Sequence, residues 1–152
     1  MIKKLLFSFV VLIIAGATAF AQLNPVSWAF NSKKIGDKTY EVRMTATMQP
    51  GWHLYSQVQP EDAIAIPTDI QFNKNPLISL NGSIKEVGKM EKFKDDKLGV
   101  AANQYAKKVE FVQVVKLKAN AKTNLTGTIE YQTCDDEKCL PPKKVNFNLA
   151  VQ

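Results

Sequence analysis

The sequence is poor in the residue types that build most ready-made sites. Its 152 residues include one histidine, His53, and two cysteines, Cys134 and Cys139. A zinc site usually takes three or four Cys, His or carboxylate ligands at recognisable spacing. A lone histidine some eighty residues from the cysteine pair offers none, so no metal is expected, and no motif points to a bound cofactor. Arg43 is the only arginine. Nucleic-acid surfaces concentrate basic charge, usually with arginine. Here the lysines are scattered through strand-like segments, which excludes nucleic acid as an expected partner. The net charge of +6 falls to +4 without Lys3 and Lys4 and suits a solvated surface. Beyond residue 22 there is no helical stripe of useful length, no internal repeat and no low-complexity linker.

What is present begins with a three-part N-terminus. Met1 to Lys4 is short and basic, Leu5 to Ala19 is almost wholly apolar, and Ala19-Phe20-Ala21 puts small residues before Gln22. This pattern predicts a secretory signal peptide over residues 1–21. The alternative is an uncleaved membrane anchor, since the apolar run approaches a spanning length. With cleavage, the working protein is one domain over residues 22–152, exported, with no stable membrane association. Outside the cytoplasm a cysteine pair persists as a disulfide.

The rest of the chain reads as strands. Val26, Trp28 and Phe30 alternate with Ser27 and Ala29, and Tyr40, Val42, Met44, Ala46 and Met48 alternate with polar residues. Val109 and Phe111, then Ile129, Tyr131 and Thr133, then Val145, Phe147, Leu149 and Val151 repeat the pattern. Period-two spacing turns one face of each strand toward a core. Gly36-Asp37, Pro50-Gly51 and the polar run Ala119 to Asn124 read as turns. Asn81-Gly82 reads as a two-residue hairpin. Seven or more short strands with frequent turns predict an all-β antiparallel sandwich. Lys89 to Ala106, "KMEKFKDDKLGVAANQYA", reads as a long surface loop. Trp28 and Trp52 are assigned to core or support.

The two cysteines flank Asp135, Asp136, Glu137 and Lys138 in "TCDDEKCLPP". If "GTIEYQT" and "KKVNFNL" are neighbouring strands, Cys134 and Cys139 face each other across the base of a four-residue connection. Opposed Cα atoms about 4.5–5.5 Å apart fall inside the disulfide range of about 4.4–6.8 Å. Such a bridge closes a short loop, worth roughly 2 kcal/mol in chain entropy against about 4 for a loop of some sixty residues. A fold staple gains more from the longer loop. On local features alone the pair is either a structural bridge or a redox-active one. His53, in the strand-like "GWHLYS", reads as a packed or surface residue rather than a ligand or base.

"YQTCDDEKCLPP" resembles the cysteine motif of the N-terminal periplasmic domain of the DsbD thiol:disulfide interchange protein family. "PGWHLYSQ" is similar to that family's early aromatic strand, "IPTDIQF" to the segment after it, and "EKFKDD" falls where the family carries an aromatic-centred cap loop. The resemblance implies an immunoglobulin-like sandwich with an exposed cysteine pair. It implies an exported, periplasmic module that relays reducing equivalents to oxidised proteins by thiol–disulfide exchange. Cys139 is then the residue that forms the mixed disulfide and Cys134 the one that resolves it. Phe93 is the cap-loop candidate, its alternative being an ordinary buried aromatic. Tyr55 is a candidate neighbour of the pair, its alternative a strand core residue. Asp135, Asp136 and Glu137 line the thiols. One carboxylate about 6 Å away, at an effective dielectric of about 40 to 80, disfavours a thiolate by about 0.7 to 1.4 kcal/mol. The expected partners are thioredoxin-fold proteins and a separate membrane electron donor, because this sequence carries no multi-helix membrane domain of its own. The spacer of four residues is shorter than the five of some family members. The alternative function is a non-catalytic interaction module whose disulfide only pins a hairpin.

Overall fold

The computed structural model describes residues 23–96 and 99–152. The expected signal peptide lies outside the described residues, as do Lys97 and Leu98.

Alternation builds the first sheet. In β2 (Thr39–Met48), Tyr40, Val42, Met44, Ala46 and Met48 are all buried. β1 (Val26–Gly36) pairs with it from Val26↔Met48 to Gly36↔Thr39, around a turn with Lys38 at φ 51°. After Met48 the chain breaks at Gly51, φ 83°, and resumes as β3 (His53–Tyr55). β2 and β3 follow each other along one edge of β6 (Val100–Leu117), and β5 (Ile78–Asp95) lines its other edge. β1 lies outside β2, and β8 (Thr133–Cys134) outside β3. The second sheet orders β4 (Asp69–Phe72), β7 (Thr123–Tyr131) and β9 (Lys143–Val151). All pairings are antiparallel.

The sheets close on Val42, Met44, Leu54, Val109, Phe111 and Val115 from one side and Leu125, Ile129, Phe147 and Val151 from the other. Trp52 is buried in this core, and the Trp28 ring lies against Phe30, Phe111 and Tyr131. The architecture is an immunoglobulin-like antiparallel β-sandwich. Gln132 separates β7 from β8, so the chain leaves the second sheet there and joins the first. That crossing delivers the cysteines to the margin of the sandwich, beside β3.

Two expectations are corrected. Asn81-Gly82 is not a hairpin. It sits inside the single strand β5, where the register shifts between Asn81↔Val114 and Lys85↔Val112. Gly82 takes φ +72° and absorbs extra residues as a bulge. The buried Gln113 side chain donates to the Asn81 carbonyl at 3.1 Å, satisfying a group the bulge takes out of the ladder. A left-handed glycine serves a bulge as well as a reversal, and the longer pairing with β6 selects the bulge. Nor is Lys89 to Ala106 a loop. It is the far end of the β5–β6 ribbon, paired from Met90↔Tyr105 to Asp95↔Val100, with Gly99 at φ +64° by its tip. Pairing satisfies its backbone while only Ala102 and Tyr105 of its described residues are buried, so its period-two signal is weak. β5 is also an edge strand, where exposed lysines guard against stray pairing.

Candidate functional site

The cysteine turn is held by its own backbone. Asp135 N–H donates to the Lys138 carbonyl and Leu140 N–H to the Thr133 carbonyl, each at 2.9 Å. These two bonds flank Cys134 and Cys139, which form an isolated antiparallel bridge between them. The cysteines are therefore a non-hydrogen-bonded pair, the position where opposed side chains approach most closely. They are joined by a disulfide, with Cα atoms 4.0 Å apart. The two cysteines differ in exposure. Cys134 is 4% exposed, whereas Cys139 is an exposed residue.

Asp135 closes the turn. Its Oδ1 accepts from the N–H groups of Glu137 at 2.9 Å and Lys138 at 2.7 Å, the arrangement that favours Asp in tight turns. Those two donors hold its carboxyl below the usual aspartate range. Its charge is thus turned into the loop's own amides. Asp136 and Glu137 stand exposed at the tip.

Burial of Cys134 comes from a small cluster apart from the main core, made with Tyr55 and Ala102, against which Ala65 packs. Tyr55 is 7% exposed, and burial pushes its hydroxyl pKa up. Ala65 belongs to the segment after β3, which folds over the outer face of the sheet. Several hydrogen bonds attach that segment. Asn103 donates its backbone N–H to Gln59 Oε1 at 3.0 Å, and Gln59 Nε2 returns a bond to the Asn103 carbonyl at 2.7 Å. Thr68 Oγ1 donates to the Tyr55 carbonyl at 2.5 Å. Gln132 Oε1 accepts from Ile66 N–H at 3.1 Å while its Nε2 donates to the Leu140 carbonyl at 3.3 Å, so one amide ties the segment to the residue after Cys139. Glu86 of β5 accepts from Ser56 Oγ at 2.7 Å, Gln57 N–H at 2.7 Å and Tyr105 OH at 2.6 Å.

The structure thus brings Cys134, Cys139, Tyr55 and Asp135 together. Phe93 stands one strand further out. It is 48% exposed, so it is not a buried packing residue, and it faces Ala102 across the β5–β6 ladder. Opposed residues share a face, which puts Phe93 on the same face as the Ala102–Tyr55–Cys134 cluster. Sequence reasoning missed Ala65, Ala102, Gln132 and Glu86, and it read His53 as a bystander. His53 is half-buried and directly opposite Cys134 in the β3–β8 ladder. A register between strands eighty residues apart leaves no local trace; the alternation in "GWHLYS" shows only that His53 and Tyr55 share a face. Among the described residues, no three His, Cys, Asp or Glu side chains gather in a way that could hold a metal ion.

Over residues 20–150 the sequence matches the family described as thiol:disulfide interchange protein DsbD, N-terminal. The chain belongs to this family. As a DsbD N-terminal domain it is a thiol–disulfide interchange domain, and Cys134 and Cys139 are its only cysteines. No curated protein sequence matches it. Among solved structures it is similar to the N-terminal periplasmic domain of ScsB from Proteus mirabilis, at 17% identity and a TM-score of 0.61, covering 88% of this chain and 49% of that one. The chain therefore spans about half the length of that relative. It is also similar to the reduced DsbD N-terminal domain of Neisseria meningitidis, at 15% identity and a TM-score of 0.52, covering 89% of this chain and 94% of that one. At these identities the likeness speaks for the fold.

Proposed function

We propose that this domain is an exported, periplasmic thiol–disulfide exchange module that relays reducing equivalents to oxidised extracytoplasmic proteins through Cys134 and Cys139. The observation that carries the reading is the asymmetry of the pair, one cysteine an exposed residue and the other buried in a small cluster with Tyr55 and Ala102. Exchange rate depends on which sulfur an incoming thiolate reaches. Cys139 is the reachable one. A donor thiolate attacks Cys139 Sγ, a new S–S bond forms, the Cys134–Cys139 bond breaks and its electron pair stays on Cys134. A second donor thiol then releases the reduced pair. Toward an oxidised target the steps run in reverse: Cys139 attacks the target disulfide, and Cys134 resolves the mixed disulfide by attacking Cys139 Sγ.

In this reading the partners are proteins of the thioredoxin fold and a separate membrane electron donor, in keeping with membership of the DsbD N-terminal family. Family membership, the signal-like N-terminus and the periplasmic ScsB relative support the location. The test is trapping. Cys134→Ala leaves Cys139 able to hold an oxidised thioredoxin-fold partner as a mixed disulfide on non-reducing gels, while Cys139→Ala traps little. Equal trapping by both variants contradicts the assignment of roles.

A further inference from the structure

Four residues form one row from the first sheet into the cysteine turn. Ala106 of β6 faces His53 of β3, His53 faces Cys134 of β8, and Cys134 faces Cys139. Directly opposed residues in antiparallel strands share a face, with Cβ atoms about 4.5–5.5 Å apart. Cys134 thus has two cross-strand neighbours: its disulfide partner on one flank and the only imidazole of the chain on the other. We propose that His53, in its protonated form, is the charge partner of the Cys134 thiolate released when the disulfide opens. This rests on the exchange function argued above and adds to it a residue that handles the leaving group.

The chemistry calls for such a group. When a donor thiolate attacks Cys139 Sγ, the donor–Cys139 bond forms, the Cys139–Cys134 bond breaks, and a negative charge appears on Cys134 Sγ. That residue is 4% exposed, with Tyr55 and Ala102 as its neighbours. Burial in apolar surroundings disfavours a thiolate, and a cation one strand away offsets that. The imidazolium N–H stabilises the departing thiolate and supplies its proton when the thiol is to persist. In the resolving direction the neutral ring takes that proton back, and the Cys134 thiolate attacks Cys139 Sγ to expel the partner as its thiolate.

The surroundings bring little competing charge. Tyr55, on the same face of β3, has its hydroxyl pKa raised by burial and stays neutral. Gln104 and Ala106 of β6 and Ala65 of the covering segment are uncharged. Lys107, next along β6, is exposed, as are Glu61 and Asp62 of the covering segment. Asp135, beside Cys134, has its carboxylate bound to the amides of Glu137 and Lys138.

One unit charge about 6 Å from a full thiolate, at an effective dielectric of about 40, is worth roughly tenfold in equilibrium; with about half that charge developed on the leaving sulfur in the transition state, the rate changes about threefold. The experiment follows reduction of the oxidised protein by dithiothreitol across the weakly acidic to weakly basic range, for wild type, His53→Gln and His53→Lys. Circular dichroism and melting curves confirm that each variant is folded. The ratio of wild-type to His53→Gln rates cancels the ionisation of the reductant. The expected ratio is about threefold at the acid end and smaller at the basic end. His53→Lys keeps the fast rate across the range, because its cation persists. A ratio of unity at the acid end, or one that does not change with pH, overturns the role of His53 and leaves the exchange function standing. A disulfide that resists reduction in all three proteins overturns both.

Discussion

Glu86 gives the sharpest mechanical prediction. Its carboxylate takes three donors, two of them hydroxyls on residues almost without exposure, Ser56 at 2% and Tyr105 at 3%. Through Ser56 and Gln57 it fastens the start of the segment that carries Ala65 onto the Tyr55–Ala102–Cys134 cluster. Glu86→Ala removes all three bonds. Hydrogen bonds to a charged group contribute about 1.5–3 kcal/mol each, and a buried hydroxyl left without an acceptor costs about 1–3 kcal/mol. The terms share one side chain and do not add, and Gln57 is only partly buried. The expected loss is about 3 kcal/mol. With an m-value of about 2 kcal/mol per M, the urea midpoint falls by about 1.5 M. Glu86→Gln keeps one acceptor oxygen and should lose about half as much. The same variants loosen the covering segment and let water reach Cys134, whose thiolate then leaves more readily, so glutathione should reduce the Cys134–Cys139 disulfide several-fold faster under native conditions. Urea unfolding followed by tryptophan fluorescence, beside the rate of reduction, measures both. A Glu86→Ala midpoint within about 0.3 M of wild type, with an unchanged reduction rate, refutes the claim that this carboxylate holds the cover over Cys134.

Phe93→Ala separates shielding from packing. Truncating a fully buried Phe costs about 3–5 kcal/mol, but Phe93 is half in solvent, so the expected loss is about 1 kcal/mol or less with faster attack by glutathione; an unchanged rate removes the cap role. Burial holds the hydroxyl pKa values of Tyr55, Tyr105 and Tyr131 above their ordinary range. The stability tied to them is fully present below about pH 10 and is lost as the pH rises through the raised values. An absorbance titration should therefore show these tyrosines ionising together with unfolding, and their smooth ionisation at the ordinary value contradicts the burial. At the acid end the glutamate of β6, Glu110, is held below its ordinary range by hydrogen bonds from Lys108 and Arg43. Its contribution is complete above about pH 4.3 and disappears as the pH falls through the lowered value. Thermal melts of Glu110→Gln and wild type should thus converge in acid.

The parts that were legible in the sequence are those whose cause is local. The alternation of Tyr40 to Met48 declares a strand with one buried face, and it is one. The facing of Cys134 and Cys139 follows from a four-residue turn between strands, and their bridge has that form. Asn81-Gly82 misled because its chemistry suits a bulge as well as a turn, and only pairing with β6 tells the two apart. Lys89 to Ala106 misled because a ribbon with little buried side-chain surface leaves little alternation to read. The site itself is assembled by contacts between distant segments. Glu86 reaches Ser56, Gln132 reaches Ile66, and His53 meets Cys134. Each depends on strand register and on where the chain changes sheet at Gln132, neither of which has a signature within a few residues.

The central claim is that the Cys134–Cys139 bond is made to be opened and closed. Its reduction potential, measured by equilibrating the whole domain against glutathione or dithiothreitol buffers, tests that claim most directly. An exchange-active pair, with Cys139 exposed on a short acidic turn and Cys134 released into a covered site, should lie at roughly −180 to −270 mV. A potential well below about −300 mV, the range of structural disulfides that resist the glutathione pool, contradicts it and leaves the bond as a pin for the hairpin.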